Sequence, residues 1–540
     1  MAPIRRPYLY EEPAKKPSRV WGFFARVGTG TARFVFLAVC LCATALLFKI
    51  SYPKPSYSLL MWLALAPFTL AVVRLRGFWS SLLYSWLTGV LVFAGIYYWV
   101  YVTCLDGGGL TPSLAAAAWL GLSALMGVQF AVFGGSCYFL KRLQWAFPLL
   151  AALGWAALEW AHEMLATYLL GFPWFALGYS QWNIPQIIQI ASFAGTAGVS
   201  FLVAFAGISV GYAFATPYLK RGIGQLLLAA AVFLGAYGYG SFVLSHRPEH
   251  SLLSMRAAVL QPNIDQYKKW SPEFEQEILN TVSDMGAQLN GQNIMLAVWP
   301  ESVTPGPVQQ EPYLSLMTGI AQSSGAWQLA GSNRAENGRQ YVSAFLFPPS
   351  GSPLAYYDKT HLVPFGEYIP FEDMVRKLLP NVEVLGELGS FSAGEWEQPL
   401  LQLDQIAFGQ TICYESVFSR LWKEQAKAGA RFFVNITNDA WFFDTDAPYQ
   451  HLAVAVLRAA ETRRPVLRAA NTGISAVISA SGEILARAEL NTRAMLTADV
   501  PLPLGAYESF YVRWGDWFAW VCAAIYFTIL ISTMVFAYEH

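Results

Sequence analysis

Three short segments gather residue types able to do covalent chemistry. Glu301 closes on "AVWPES" (297–302), Lys359 and Glu367 share "YYDKTHLVPFGEY" (356–368), and Cys413 leads Tyr414 and Glu415 in "TICYES" (411–416). A thiol attacks carbonyl carbon poorly until a base removes its proton. A carboxylate can be that base when partial burial lifts its affinity for protons. A fixed ammonium can steady the oxyanion that forms on attack. Glutamate, lysine and cysteine meeting at one point therefore suffice for acyl chemistry, with no histidine required.

Each residue also has a plainer reading on its own. Glu301 could cap a turn, Lys359 could pair with its neighbour Asp358, and Glu367 could be a solvated charge. Tyr414 could be packing. Glu415 sits where a helix N-terminus welcomes an acid. Order and placement are more telling than any single residue, because all three segments follow apolar, strand-like runs.

The cysteine count sharpens the case. Cys40, Cys42, Cys104, Cys137 and Cys522 fall in or beside long apolar segments and read as small buried hydrophobes. Cys413 is the one cysteine in the polar part of the chain, so it has no disulfide partner there.

The elements that must position these residues come in two kinds. Of 540 residues, 55% are hydrophobic and 13% charged; an ordinary soluble domain carries about 25% charged residues. Mean hydropathy is +0.37. Spans able to cross a bilayer are expected at 32–50, 57–73, 78–102, 112–139, 145–166, 187–214, 223–245 and 517–537. The expected plan is a cytoplasmic arm at 1–31, seven helices over 32–245, a soluble domain over 246–512 and an eighth helix within 513–540.

Positive residues orient the plan. Arg5, Arg6, Lys15, Lys16, Arg19 and Arg26 precede the first span. Arg74 and Arg76, Lys141 and Arg142, and Lys220 and Arg221 fall on the same side, which reads as cytoplasmic; Lys49 and Lys54 are the exception. The soluble domain then lies outside the cytoplasm. Ala43-Thr44-Ala45 resembles a signal-peptide cleavage site, but the apolar run continues past it, which favours a retained helix. The formal net charge of zero gives no reason to expect nucleic acid.

Within 246–512, strands are expected at 254–260, 293–298, 326–331, 341–348, 405–412, 431–436, 465–470, 474–480 and 495–500. Helices are expected at 272–289, 311–323, 415–429 and 447–463. Such alternation implies α/β layers with functional groups at strand ends.

The order WPE…DK…CYE resembles the nitrilase (carbon–nitrogen hydrolase) superfamily. Further stretches are similar to the apolipoprotein N-acyltransferase family: "GFPWFALGYSQ" (171–181), "QPNI" (261–264), "YDKTHLVPFGEY" (357–368), "ICYES" (412–416), "NITNDAWF" (435–442), the run from Gln450 to Ile478, and "RWGDW" (513–517). The likeness spans nearly the whole chain apart from 1–31. It implies an α-β-β-α sandwich beside eight transmembrane helices. It implies Cys413 as nucleophile, Glu301 as general base, Lys359 as oxyanion stabiliser and Glu367 as a second glutamate holding that lysine. Tyr414 and Glu415 become supporting neighbours, and Asn438 and Asp439 build the supporting turn. Trp174, Trp441 and Phe442 are placed near a lipid entrance; Trp174 also reads as an interfacial belt aromatic. One departure is Phe443, where the family pattern has glycine after Trp-Phe, so a reshaped loop is expected.

The implied reaction is ping-pong acyl transfer from a phospholipid, through a cysteine thioester, to the N-terminal amine of a diacylated apolipoprotein. It is implied for a monomeric, multi-pass protein of the bacterial inner membrane with its catalytic domain in the periplasm. No cofactor follows, and His361 and His451 show no metal-ligand spacing. The competing readings are a membrane-anchored amidase or nitrilase with the same three groups, and a non-catalytic binding member.

Overall fold

The computed structural model describes residues 30–169, 171–246, 252–269, 271–352, 355–378, 391–503 and 508–539. Nearly all of the expected cytoplasmic arm lies outside them. The apolar half forms α1 (Thr31–Ser51), α2 (Met61–Val72), α3 (Phe78–Ile96), α4 (Pro112–Leu140), α5 (Phe147–Tyr168), α6 (Ala191–Ala215) and α7 (Leu219–Ser245). Exposed Phe34, Leu46, Leu227 and Leu234 lie on its outer surface, as facing lipid requires. Its interior relies on small residues. A Cβ on Gly89 of α3 would lie 2.8 Å from the Gly127 Cα of α4, so these backbones touch only because both are glycine.

Six apolar helical units among the described residues are long enough to cross a membrane, fewer than the eight spans expected. Two local features account for the difference. α4 and α5 join into one 57-residue unit, bent where Gln144 takes φ 47° and ψ −108°. α2 has 12 residues, a rise of about 18 Å against a hydrocarbon layer of about 30 Å. The span expected over 78–102 also breaks, at Tyr97, and ends in a short helix and a wide turn over Thr103–Gly107.

Among the described residues the polar half holds twelve strands: β1 (Leu252–Gln261), β2 (Leu296–Val298), β3 (Trp327–Glu336), β4 (Arg339–Phe347), β5 (Ala355–Asp358), β6 (Leu401–Leu403), β7 (Ile406–Ile412), β8 (Phe433–Thr437), β9 (Val466–Ala470), β10 (Ala476–Ile478), β11 (Ile484–Arg487) and β12 (Ala494–Pro503). They form two six-stranded sheets, ordered β12-β1-β2-β3-β4-β5 and β11-β10-β9-β8-β7-β6. The central strands β1, β2 and β3 are parallel, as are β7, β8 and β9. Valine, isoleucine and leucine from both inner faces, among them Val259, Val298, Leu329, Ile412, Ile436 and Leu467, form the shared core. β5, β6 and β11 were not among the expected strands; they run three or four residues each, too short for alternation to show.

Helices complete four layers. α8 (Glu275–Ala287) and α9 (Tyr313–Ser324) cover the first sheet with Ile278, Val282, Met285, Met317 and Ile320. α10 (Ser419–Lys427) and α11 (Ala447–Thr462) cover the second sheet. The helix expected over 415–429 is broken at Phe418, so Cys413–Val417 form a separate tight turn. α11 lies between the second sheet and the membrane bundle, and all but one of its 16 residues are buried. Its polar side chains therefore need partners inside the protein. Gln450 accepts from both Trp99 and Trp174, and donates to the Ile96 carbonyl. Arg458 pairs with Glu461 at 2.5 Å, and Glu461 accepts from the Thr196 amide at 2.5 Å. α12 (Trp517–Glu539) returns to the bundle.

Candidate active site

The parallel strands β2 and β7 end at Val298 and Ile412, and Glu301 and Cys413 sit just beyond them. Lys359 follows β5 directly. The Lys359 Nζ lies 2.5 Å from Glu367 Oε1 and 3.5 Å from Glu301 Oε1. Asp358 does not hold Lys359 at the surface, because it is bonded to Arg334 at 2.5 and 3.0 Å and to the Ser343 hydroxyl at 2.5 Å. Lys359 turns inward instead and is fully buried. Burial by itself would depress its pKa, but Glu367, Glu301 and the Cys413 sulfur raise it above the ordinary lysine value. It stays an ammonium.

Burial, then the Glu301 carboxylate, pushes the Cys413 thiol up to about 12; Lys359 opposes them. A thiol raised this far is protonated near neutral pH, so it could act as a nucleophile only with a base beside it. Cys413 takes φ 51°, in the left-handed region that non-glycine residues avoid. Glu301 Oε2 accepts the Asn438 amide at 3.0 Å, leaving Oε1 toward the lysine. Glu367 Oε2 accepts the Val363 amide at 2.8 Å, and burial raises its pKa against the pull of Lys359.

Glu415 is fully buried, not a solvated charge; it is the acid in the first turn of Cys413–Val417, as its position suggested, and it also reaches beyond that turn. Its Oε1 accepts from the Thr360 amide at 2.6 Å, the Thr360 hydroxyl at 2.7 Å and the Tyr357 hydroxyl at 3.0 Å; Oε2 accepts the Ile412 amide at 2.7 Å. This carboxylate ties the turn after Cys413 to the turn after Lys359. Tyr414 donates to the Gly171 carbonyl at 3.3 Å and stacks on Phe172.

Asn438 and Asp439 do more than shape a turn. Asn438 Nδ2 donates to Gln266 at 2.8 Å. Asp439 accepts from Thr437 and Arg468 and contacts His451, at 2.9, 2.8 and 2.9 Å. Burial would raise the Asp439 carboxyl, but Arg468 and His451 hold it down to about 2. A Cβ on Gly473 would meet Asp439 Oδ2 at 2.3 Å, so only glycine leaves room there.

The belt-aromatic reading of Trp174 does not hold. Its ring is 2% exposed, between Phe172, Phe442, Tyr414 and His451. Phe442 packs on Trp99 at 5.0 Å. Trp441 is 43% exposed, and its carbonyl accepts from Thr103. Phe443 takes φ 50° and ψ −152°, a conformation suited to glycine, with its ring beside Tyr267 and Gly107.

Lys269, Thr437 and Arg468 were not among the expected site residues, and His451 was weighed only as a metal ligand. Lys269 is buried, with Nζ 3.3 Å from the Glu301 carbonyl, and burial lowers its pKa to about 8. Arg468 lies in the middle of an apolar strand and His451 on an apolar helix, which are the available signals for both.

A cavity of about 320 Å³ opens beside the turns that follow Lys359 and Cys413. Thr360, His361, Tyr414 and Phe418 line one side, and the end of α5, with Tyr168 and Leu169, lines the other. Among the described residues no cluster of histidine, cysteine and carboxylates is placed to hold a metal.

Two family profiles match the chain. "Apolipoprotein N-acyltransferase N-terminal domain" covers residues 44–209 and "Carbon-nitrogen hydrolase" covers 256–506. The apolipoprotein N-acyltransferase of Geobacter metallireducens is 36% identical over 504 residues, covering 89% of this chain and 92% of that protein. The enzyme of the same name from Methylococcus capsulatus is 34% identical over 464 residues, covering 83% of this chain and 86% of that protein. Likeness of this extent, through both the apolar bundle and the two-sheet domain, establishes that the chain belongs to the apolipoprotein N-acyltransferase family.

Proposed function

We propose that this protein moves a fatty acyl chain from a phospholipid to the N-terminal amine of a diacylglyceryl-cysteine apolipoprotein, through a thioester on Cys413. The observation that carries the reading is the placement of Cys413, Lys359 and Glu301 at strand ends, where the next residues, Tyr414 and Thr360, line a cavity whose other wall is the end of a membrane helix. Both substrates are lipids, so a reactive centre against the bundle suits them.

In the first half-reaction the thiol proton passes to Glu301 as Sγ attacks the ester carbonyl carbon. Lys359 stabilises the oxyanion. Collapse breaks the C–O bond, and the leaving glycerol oxygen takes the proton from Glu301, releasing a lysophospholipid. In the second half the neutral amine attacks the thioester and gives a proton to Glu301. The C–S bond breaks, and the sulfur recovers that proton. Apolar walls around the thioester slow its loss to water.

The catalytic domain is placed on the periplasmic side of the inner membrane. Lys49 and Lys54, which break the positive-inside pattern, support that side: Lys49 pairs with Asp446, and Lys54 lies 3.7 Å from Asp444, so both charges belong to the domain contact. Eight crossings follow if the bent unit counts as two and α2 with its preceding turn completes one more.

The test is incubation with phospholipid labelled in its acyl chain, followed by hydroxylamine. Hydroxylamine-labile label on wild type, absent from Cys413→Ser and chased onto a diacylated lipopeptide, is expected. Label released only as free fatty acid would favour a hydrolase; no labelling would favour a binding protein.

A further inference from the structure

His451 lies between two acceptors. Its Nδ1 is 2.9 Å from Asp439 Oδ1, and its Nε2 is 3.0 Å from the Cys413 carbonyl oxygen. A neutral imidazole carries one N–H, so one of these contacts would set a lone pair against a lone pair. Asp439 cannot supply the missing proton. Its Oδ1 also accepts from the Thr437 hydroxyl, and its Oδ2 from Arg468. Burial, then the Arg468 guanidinium, lower the His451 pKa below the ordinary histidine value, against the pull of Asp439 and the Cys413 carbonyl. Against that direction stand the two contacts at 2.9 and 3.0 Å, each of which needs an N–H. The Trp174 ring, 5.1 Å from the imidazole, adds a face that favours a cation.

We propose that His451 is a buried imidazolium, doubly protonated in the resting protein, which holds the Cys413 turn and places a positive charge behind the reacting sulfur. The proposal rests on reading Cys413 as the reacting thiol. His451 is then a positioning residue acting through the Cys413 peptide. That role fits two needs of the site. Lys359 already shares its ammonium between Glu301 and Glu367, so further positive charge is needed to make the thiolate accessible. Cys413 also has a costly backbone conformation, and a charge-assisted bond to its carbonyl holds it there. Because the peptide is planar and trans, the same bond strengthens the Tyr414 N–H as a donor on the opposite side. Trp174 comes from the membrane half, so the bundle helps set this charge.

The test needs no lipid. Nitrogen-15 NMR of histidine-labelled full-length protein in detergent, about two pH units above the ordinary histidine value of about 6.5, should show one imidazole with both nitrogens protonated. That signal should vanish in His451→Gln. In parallel, iodoacetamide alkylation of Cys413 is followed by peptide mass spectrometry across pH. His451→Gln keeps one donor but no charge, so its alkylation midpoint should rise by about one pH unit, a roughly tenfold slower reaction below the midpoint. No doubly protonated imidazole in wild type overturns the proposal, whether or not the variant folds. A folded variant whose alkylation profile overlays wild type overturns the electrostatic role. Failure of lipid acylation with both signatures present would instead count against the proposed function.

Discussion

Glu415 Oε1 receives the Thr360 amide at 2.6 Å and the Thr360 hydroxyl at 2.7 Å, so the residue two beyond the thiol holds the residue after the buried ammonium. The spacing between Cys413 and Lys359 thus depends on a side chain that need not touch substrate.

Replacing that carboxylate with an amide turns one acceptor oxygen into an N–H₂ facing donors. Glu415→Gln should lower thioester formation at least tenfold, and should lower the thermal unfolding midpoint, since a buried unpaired donor costs about 1–3 kcal/mol. Wild-type labelling kinetics at an unchanged midpoint would show that the two turns are held apart from Glu415.

Glu301 is the carboxylate beside a thiol pushed up to about 12. With such a thiol, general-base help is worth about 10²–10⁴-fold. Glu301→Gln should block thioester formation by a factor in that range while leaving the fold intact. Rapid labelling of this variant would mean that another group takes the proton.

Phe443 holds a glycine-like conformation at φ 50° and ψ −152°. Alanine there keeps the strain and removes the ring; glycine removes both. Phe443→Gly should therefore be more stable than Phe443→Ala by about 1–3 kcal/mol, measured by chemical denaturation of the two variants side by side. Hydrogen exchange over residues 439–446 should rise in both. An alanine variant as stable as the glycine variant would remove the strain argument.

Burial lowers His361 to about 4, where its ring stacks on Phe418 at 4.0 Å. The unfolded chain binds the proton near pH 6.5, so between that value and about 4 the unfolded state carries more protons. This contribution is present above pH about 6.5 and is lost as pH falls toward 4. His361→Phe should flatten the decline in thermal midpoint over that window. Parallel declines in both proteins would assign the acid sensitivity elsewhere.

The apolar runs, the strand–helix alternation and the three segments that carry Glu301, Lys359 and Cys413 were legible from residue order, because run length and side-chain period are local properties. So was the singular position of Cys413. Partner choice was not. Lys49 meets Asp446 across 397 positions, and His451 meets the Cys413 carbonyl across 38, through a helix buried on every side. A charged residue in a sequence declares its charge but not what neutralises it. Burial between two layers decided that for His451, Arg468 and Glu415, because in a low-dielectric interior each polar group must find a partner wherever the fold supplies one.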